Sequence, residues 1–248
     1  MFNGFVKRNI PCLKWLIVVA CCGWMASSCV NNGREASRQP SSGKEKVKAG
    51  PYGYASGILE FRIRRPFHQV NETVYFTEWG RKEARYETVY GGILAGKSAP
   101  RHQITLISPE GFFSWQVETR EGSRSPLPPQ EPFQDFDTLK KRLGAEAATK
   151  RLRHLGIRLL PEEMVLGFPC YVFQSKGGTF WIHRGLLLRS RIRLPNFTTI
   201  REAVRFVPDA AVNPDRFRFP PGVDPESFPD LSELLRNARS KDKKRTSS

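Results

Sequence analysis

Leu186-Leu187-Leu188-Arg189-Ser190-Arg191-Ile192-Arg193-Leu194 is the stretch from which the fold is best read. Leu186, Leu188, Ile192 and Leu194 fall on one side of an extended chain, and Leu187, Arg189, Arg191 and Arg193 on the other. Such period-two alternation describes a strand with one packed face and one wet face. Residues 198–207 are strand-like too, and carry Arg201 and Arg205. If the two strands pair, Arg189, Arg191, Arg193, Arg201 and Arg205 form a stripe of five guanidiniums.

The same pattern recurs outward from this stretch. Leu59, Phe61 and Ile63 alternate with Glu60, Arg62 and Arg64, and Phe113, Trp115 and Val117 with Ser114, Gln116 and Glu118. Residues 73–78, 84–90, 103–108, 171–174 and 179–183 are further strand-like runs. Trp79-Gly80-Arg81, Ser108-Pro109-Glu110-Gly111, Lys176-Gly177-Gly178 and His183-Arg184-Gly185 supply tight turns between them. Alternating faces and short turns predict antiparallel hairpins. One interlude is helical: Leu139, Leu143, Ala147, Leu152 and Leu155 recur at near-helical spacing after a capping Asp137, with Gly144 as a break. The proline-rich residues 123–132 read as a loop. The expected fold is mainly β (α+β): a curved antiparallel sheet or unclosed half-barrel, with the helical insertion across its apolar face.

The N-terminus reads differently. Lys7, Arg8 and Lys14 precede an apolar run from Trp15 to Met25, then Ala26-Ser27-Ser28 and Cys29. A basic start, a short apolar stretch and small residues describe a signal peptide, and the run is too short for a membrane span of about 20 apolar residues. The end of this run resembles a lipobox, the bacterial motif whose Cys is acylated and becomes the mature N-terminus. That resemblance implies palmitate and a diacylglyceryl group on Cys29. Ala26 stands where the motif has Leu, and Cys21, after Val18-Val19-Ala20, is a second candidate. Val30 rather than Asp after the Cys implies the outer membrane, facing the periplasm. The expected division is a signal peptide over 1–28, a flexible lipidated tether over 29–55, a β domain over 56–223, and a helix from Asp230 to Asn237 with a basic tail over 224–248.

Several stretches of the domain resemble the LolA/LolB-like superfamily of periplasmic lipoprotein-localisation proteins, and more closely its uncharacterised members. They are Gly57-Ile58-Leu59-Glu60-Phe61-Arg62-Ile63, Val74 to Glu83, Val165 to Phe173 with Trp181 to Leu188, and the closing Asn213-Pro214-Asp215-Arg216-Phe217-Arg218-Phe219-Pro220. The resemblance implies an unclosed half-barrel plugged by helices and, in the named members, a hydrophobic cavity that takes acyl chains of lipoproteins. Of those members the anchored receptor, rather than the soluble carrier, is the one comparable with a tethered chain.

No catalytic chemistry is legible. His68, His102, His154 and His183 lack metal-ligand spacing, Glu162-Glu163 and Asp135/Asp137 sit where solvated or capping carboxylates are ordinary, and no glycine run has phosphate-loop spacing. Cys170, in an apolar strand, reads as a buried inert thiol. No cofactor is expected. Charge is the remaining signal: beyond residue 28 the chain carries 37 basic and 24 acidic residues. In an exported domain this favours anionic lipid or lipopolysaccharide over nucleic acid, at up to about 1 kcal/mol per basic residue close to a membrane. The bland alternative is a solvated face whose charges prevent edge-to-edge association. Two function classes follow: a non-catalytic module that binds a lipid, acyl chain or lipoprotein in a groove, and a structural or sensory envelope protein with a self-filled interior that binds another protein.

Overall fold

A computed structural model describes residues 50–66, 68–91, 99–127, 136–231 and 233, all within one unit spanning 48–248. The signal peptide, Cys29, the tether over 29–49, most of the expected 230–237 helix and the basic tail lie outside the described residues. The framework is β1 (Gly57–Arg65), β2 (His68–Thr77), β3 (Lys82–Tyr90), β4 (Arg101–Ser108), β5 (Gly111–Gln116), β6 (Gly122–Ser125), β7 (Arg158–Val165), β8 (Phe168–Ser175), β9 (Gly178–His183), β10 (Leu186–Leu194) and β11 (Phe197–Pro208). Two helices, α1 (Phe136–Leu143) and α2 (Ala145–His154), lie between β6 and β7.

Among the described residues the eleven strands pair antiparallel, in the order β6-β5-β4-β3-β2-β1-β11-β10-β9-β8-β7, and Arg124 of β6 makes an isolated parallel bridge to Asp230. The chain therefore forms two meanders that join where the first strand pairs with the last. β6 and β7 are the edges, and the sheet stays unclosed, as the alternation predicts.

Each face is buried by different material. Leu59, Phe61, Val74, Phe76, Cys170, Val172, Leu186, Leu188 and Ala203 form one cluster, overlaid by Tyr52, Tyr54, Phe168 and Phe206. Neighbouring residues on the same strands point the other way. There Phe136 and Leu152 of the helices cover Phe173 and Ile182, and Phe217, Phe219, Val223 and Phe228 cover Ala84, Leu106 and Trp115. Burying side chains such as Phe136 and Leu152 contributes about 1.5–3 kcal/mol each, which holds helices too short to be stable alone. The helices thus lie on the face opposite Leu59 and Phe61, and the apolar face expected beneath them is covered elsewhere by the chain's own rings.

Three local expectations change. The helical interlude breaks at Gly144 (φ 82°) as expected, where a side chain would be strained, but Leu143 and Leu155 are exposed, Ala148 replaces Ala147 as a buried position, and Asp137 lies inside the first turn. Residues 122–125, assigned in part to the proline-rich loop, form edge strand β6. β7 is an unanticipated strand because Pro161 interrupts its pattern; an edge position with a register shift between Leu160 and Glu163 accommodates the missing N–H.

Residues 52–55, which composition places in the tether, are clamped onto the sheet. The Tyr52 N–H donates to the Trp79 carbonyl (3.0 Å), the Gly53 N–H to the Arg184 carbonyl (2.8 Å), and the Trp79 N–H to the Ala55 carbonyl (3.0 Å). Tyr52 packs edge-on against Phe76, and Tyr54 against Phe206. Gly80 has to be glycine: its φ is 81°, and a Cβ there would come within 2.3 Å of the Tyr52 ring. Two aromatic rings in seven residues outweigh the local Gly/Ser content.

Candidate functional site

The face that carries Leu59 and Phe61 changes character across the sheet. Its apolar half spans β1, β2 and β8–β11; beyond β2 the middle of the face turns polar, with Val89, Ile107 and Phe112 left as apolar residues toward its ends. Phe76, Val74 and Glu72 of β2 oppose Glu83, Arg85 and Glu87 of β3. The following strands continue with Gln103, Thr105 and Ser114, joined by hydrogen bonds from Gln103 (2.7 Å) and Thr105 (3.2 Å) to the Ser114 hydroxyl. The Glu83-Arg85-Glu87 alternation looks like an ordinary solvent face in sequence. It points inward because Ala84 and Tyr86, on the other side, pack under the C-terminal segment.

An ionic network sits at the boundary of the two halves. Arg201 Nε donates to Glu72 Oε2 (2.6 Å), and its guanidinium lies 3.3 Å from the centre of the Phe61 ring. Glu83 accepts from Arg85 Nε and from the Tyr52 hydroxyl. Burial pushes the Glu72 carboxyl up, but Arg201 and Arg85 outweigh it and hold the group below the usual range. Glu87, directly opposite, is raised to about 7, first by burial and then by the Glu72 carboxylate. Burial and Glu83 raise the Tyr52 phenol well above its ordinary value. No metal-binding group of three or more His, Cys, Asp or Glu occurs among the described residues.

By register Arg189, Arg191, Arg193 and Arg205 fall on one face and Arg201 on the other, and Arg189 is half-buried over the Trp181 ring (5.4 Å). β10 and β11 pair, and Arg189, Arg191 and Arg193 oppose Glu202, Ile200 and Thr198. Arg201 opposes Ser190 instead, so it turns to the buried face and joins Glu72. Arg205 stays outside because a register shift between Glu60 and Phe61 restores its phase, and it pairs with Glu60 (2.9 Å). β1 adds Arg62 and Arg64, opposite Glu202 and Ile200. Glu202 takes Arg189 at 2.6 Å and Arg64 at 3.7 Å. Among the described residues no carboxylate pairs with Arg62, Arg191 or Arg193, and all three are exposed.

Other candidates have ordinary partners. Cys170 is buried, and desolvation raises its thiol to about 11. His183 is buried between the Pro169 carbonyl (2.7 Å) and the Tyr54 hydroxyl (2.9 Å), and His102 meets Glu118 (2.7 Å). Glu163 accepts from Trp181 Nε1 (2.8 Å), and Asp137 from the Tyr171 hydroxyl (3.0 Å).

Left-handed non-glycine residues gather at one end of the sheet, with Arg120 (57°) at the other. Glu78 (φ 53°), Trp79 (55°), Leu166 (53°) and Arg184 (45°) are all left-handed, in the β2–β3, β7–β8 and β9–β10 turns. For a non-glycine residue that conformation costs roughly 1–2 kcal/mol. Leu166-Gly167 and Arg184-Gly185 are two-residue hairpin loops with both φ positive, where Asn-Gly is the favoured pair.

No family model matches the chain, and no curated protein matches it. Among solved structures it is similar to MucB, at 12% identity and TM-score 0.36 over 71% of this chain; the chain spans 60% of that protein's length. It is also similar to LprF from Mycobacterium bovis, at 13% identity and TM-score 0.30 over 66% of this chain and 91% of LprF. A domain from Vibrio parahaemolyticus described as an outer membrane lipoprotein-sorting protein gives 8% identity and TM-score 0.29, over 67% of this chain and 90% of that one. Identity and superposition are both low, and neither ligands nor residue roles transfer from these proteins to this chain.

Proposed function

We propose that this chain is an envelope lipoprotein, held to the periplasmic side of the outer membrane by an acylated Cys29, whose open sheet is a non-catalytic binding module of the LolA/LolB type. The ligand class that fits is amphiphilic: a lipid, or the acylated end of a lipoprotein. One observation carries the reading: a single face of an unclosed sheet is apolar over β1, β2 and β8–β11 and polar through the middle of β3–β5, where Arg85, Glu87, Gln103, Thr105 and Ser114 lie, with Glu72 and Arg201 at the boundary. An acyl chain belongs on the first half and a polar head on the second. Tyr52 and Tyr54 occupy the apolar half, so a bound chain displaces them. The exposed Arg62, Arg191 and Arg193 supply an anionic-surface or lipopolysaccharide contact on the outer face.

The filling of the apolar half by Tyr52, Tyr54, Phe168 and Phe206 favours a second reading, a structural or sensory protein whose ligand is another protein. Native mass spectrometry of the detergent-extracted full chain separates the two. Co-purified phospholipid or acylated peptide supports the first, and a clean apo mass supports the second. Palmitate labelling, abolished by Cys29→Ala and not by Cys21→Ala, tests the anchor.

A further inference from the structure

We infer that the sheet end carrying the β2–β3, β7–β8 and β9–β10 turns rests on the membrane, with Trp79, Met164 and Leu166 in contact with lipid. This rests on the proposal that Cys29 is acylated. The chain enters the fold at this end. Residues 52 and 53 bond to the carbonyls of Trp79 and Arg184, so two of the turns converge on the incoming segment. Only 20 residues separate Cys29 from Gly50, a reach of at most about 70 Å at 3.5 Å per residue. A nine-residue strand such as β1 places the opposite end about 30 Å further away.

The turn residues suit a lipid surface better than water. Met164 is 62% exposed, Leu166 43% and Trp79 38%. Leu166 holds an apolar side chain in water on a backbone that favours Asn or Gly, so neither folding nor solubility accounts for it. Trp is the residue that prefers the headgroup region. Tyr90 and Val117 are exposed toward the other end, so apolarity alone does not choose between the ends; the end at which the chain enters is the one about 30 Å nearer the anchor along the chain. Charge at the proposed end is mixed, with Arg81, Lys82 and Arg184 set against Glu78, Glu110, Asp209 and the exposed Glu162 and Glu163 beside Met164, so basic side chains do not supply the contact. The contact proposed is apolar, unlike one made by the arginine face.

The test places a nitroxide on Leu166→Cys, and separately on Trp79→Cys and Asn196→Cys, in the full lipidated chain on phosphatidylethanolamine/phosphatidylglycerol vesicles. Asn196 lies in the β10–β11 turn at the opposite end; Cys170 is buried, and the full chain without an introduced cysteine gives the background from any thiol left free at Cys21 or Cys29. The expected result is a severalfold higher ratio of oxygen to aqueous nickel-chelate collisions at 166 and 79 than at 196, unchanged by high salt. Equal ratios at all three positions overturn the inference. Palmitate incorporation, read on the same samples, reports the anchor separately. Lipid contact at 166 without palmitate retains the inference and removes acylation of Cys29, while palmitate with 166 in water does the reverse.

Discussion

Replacing Glu87 with Gln should stabilise the domain above neutral pH. Glu87 faces Glu72 across β2 and β3 and has its carboxyl raised to about 7 against an ordinary 4.5. A raised acid binds more protons folded than unfolded, so its contribution is greatest near and below the unfolded value and is lost as pH rises toward 7. The difference corresponds to about 3 kcal/mol, and partial access of the side chain to water reduces it to about 2. In urea titrations the wild-type midpoint should fall between pH 5 and pH 8, and the Glu87→Gln midpoint should stay higher at pH 8 by about 1 M for a typical slope of about 2 kcal/mol per molar. Taking the difference between the two proteins removes the histidines and every other group that titrates in this window. Parallel curves for the two proteins, or a lower midpoint for Glu87→Gln at pH 8, would refute the reasoning.

The same chemical change across the strand should act in the opposite direction. Glu72→Gln leaves the partly buried Arg201 without its carboxylate and should destabilise by about 3 kcal/mol at pH 7, measured by the same titration. Because Glu72 is held below its ordinary value, its stabilisation is present above about pH 4.5 and disappears as pH falls through the folded value, so the penalty of Glu72→Gln should shrink in acid. Leu166→Asn should raise stability by about 1 kcal/mol in thermal unfolding by relieving a left-handed leucine, while weakening the vesicle contact. The Cys170 thiol, raised to about 11, should resist a disulfide reagent at pH 8 in the folded protein and react once urea is added.

The strands that could be read in advance are those whose alternation is plain: β1 and β10 have it, and the pairing of β10 with β11 follows. Arg201 shows where alternation stops being enough. It shares a strand with Arg205, yet the register shift beside Ala203 and Arg205 sends the two to opposite faces. Glu83, Arg85 and Glu87 were illegible for a related reason. A strand with charges on one side and Ala84 and Tyr86 on the other says nothing about which side meets water when both are covered. The available sign was Glu72, a lone acid in phase with Val70, Val74 and Phe76, all buried. The docking of residues 52–55 depends on the Trp79 and Arg184 carbonyls, contacts too distant in sequence for composition to register.

The pairing of β1 with β11 also governs when the molecule becomes whole. These partners lie roughly 140 residues apart, and every other neighbour in the sheet is a hairpin or follows a short connection, apart from the edges spanned by the helices. A chain delivered N-terminus first can complete β1 to β6 while one side of β1 still has open hydrogen-bonding groups along Leu59 to Arg64. That edge waits for the last strand, and during the wait it is the position where another chain could add itself. The strand in the middle of the sheet is therefore the last to have both of its edges satisfied.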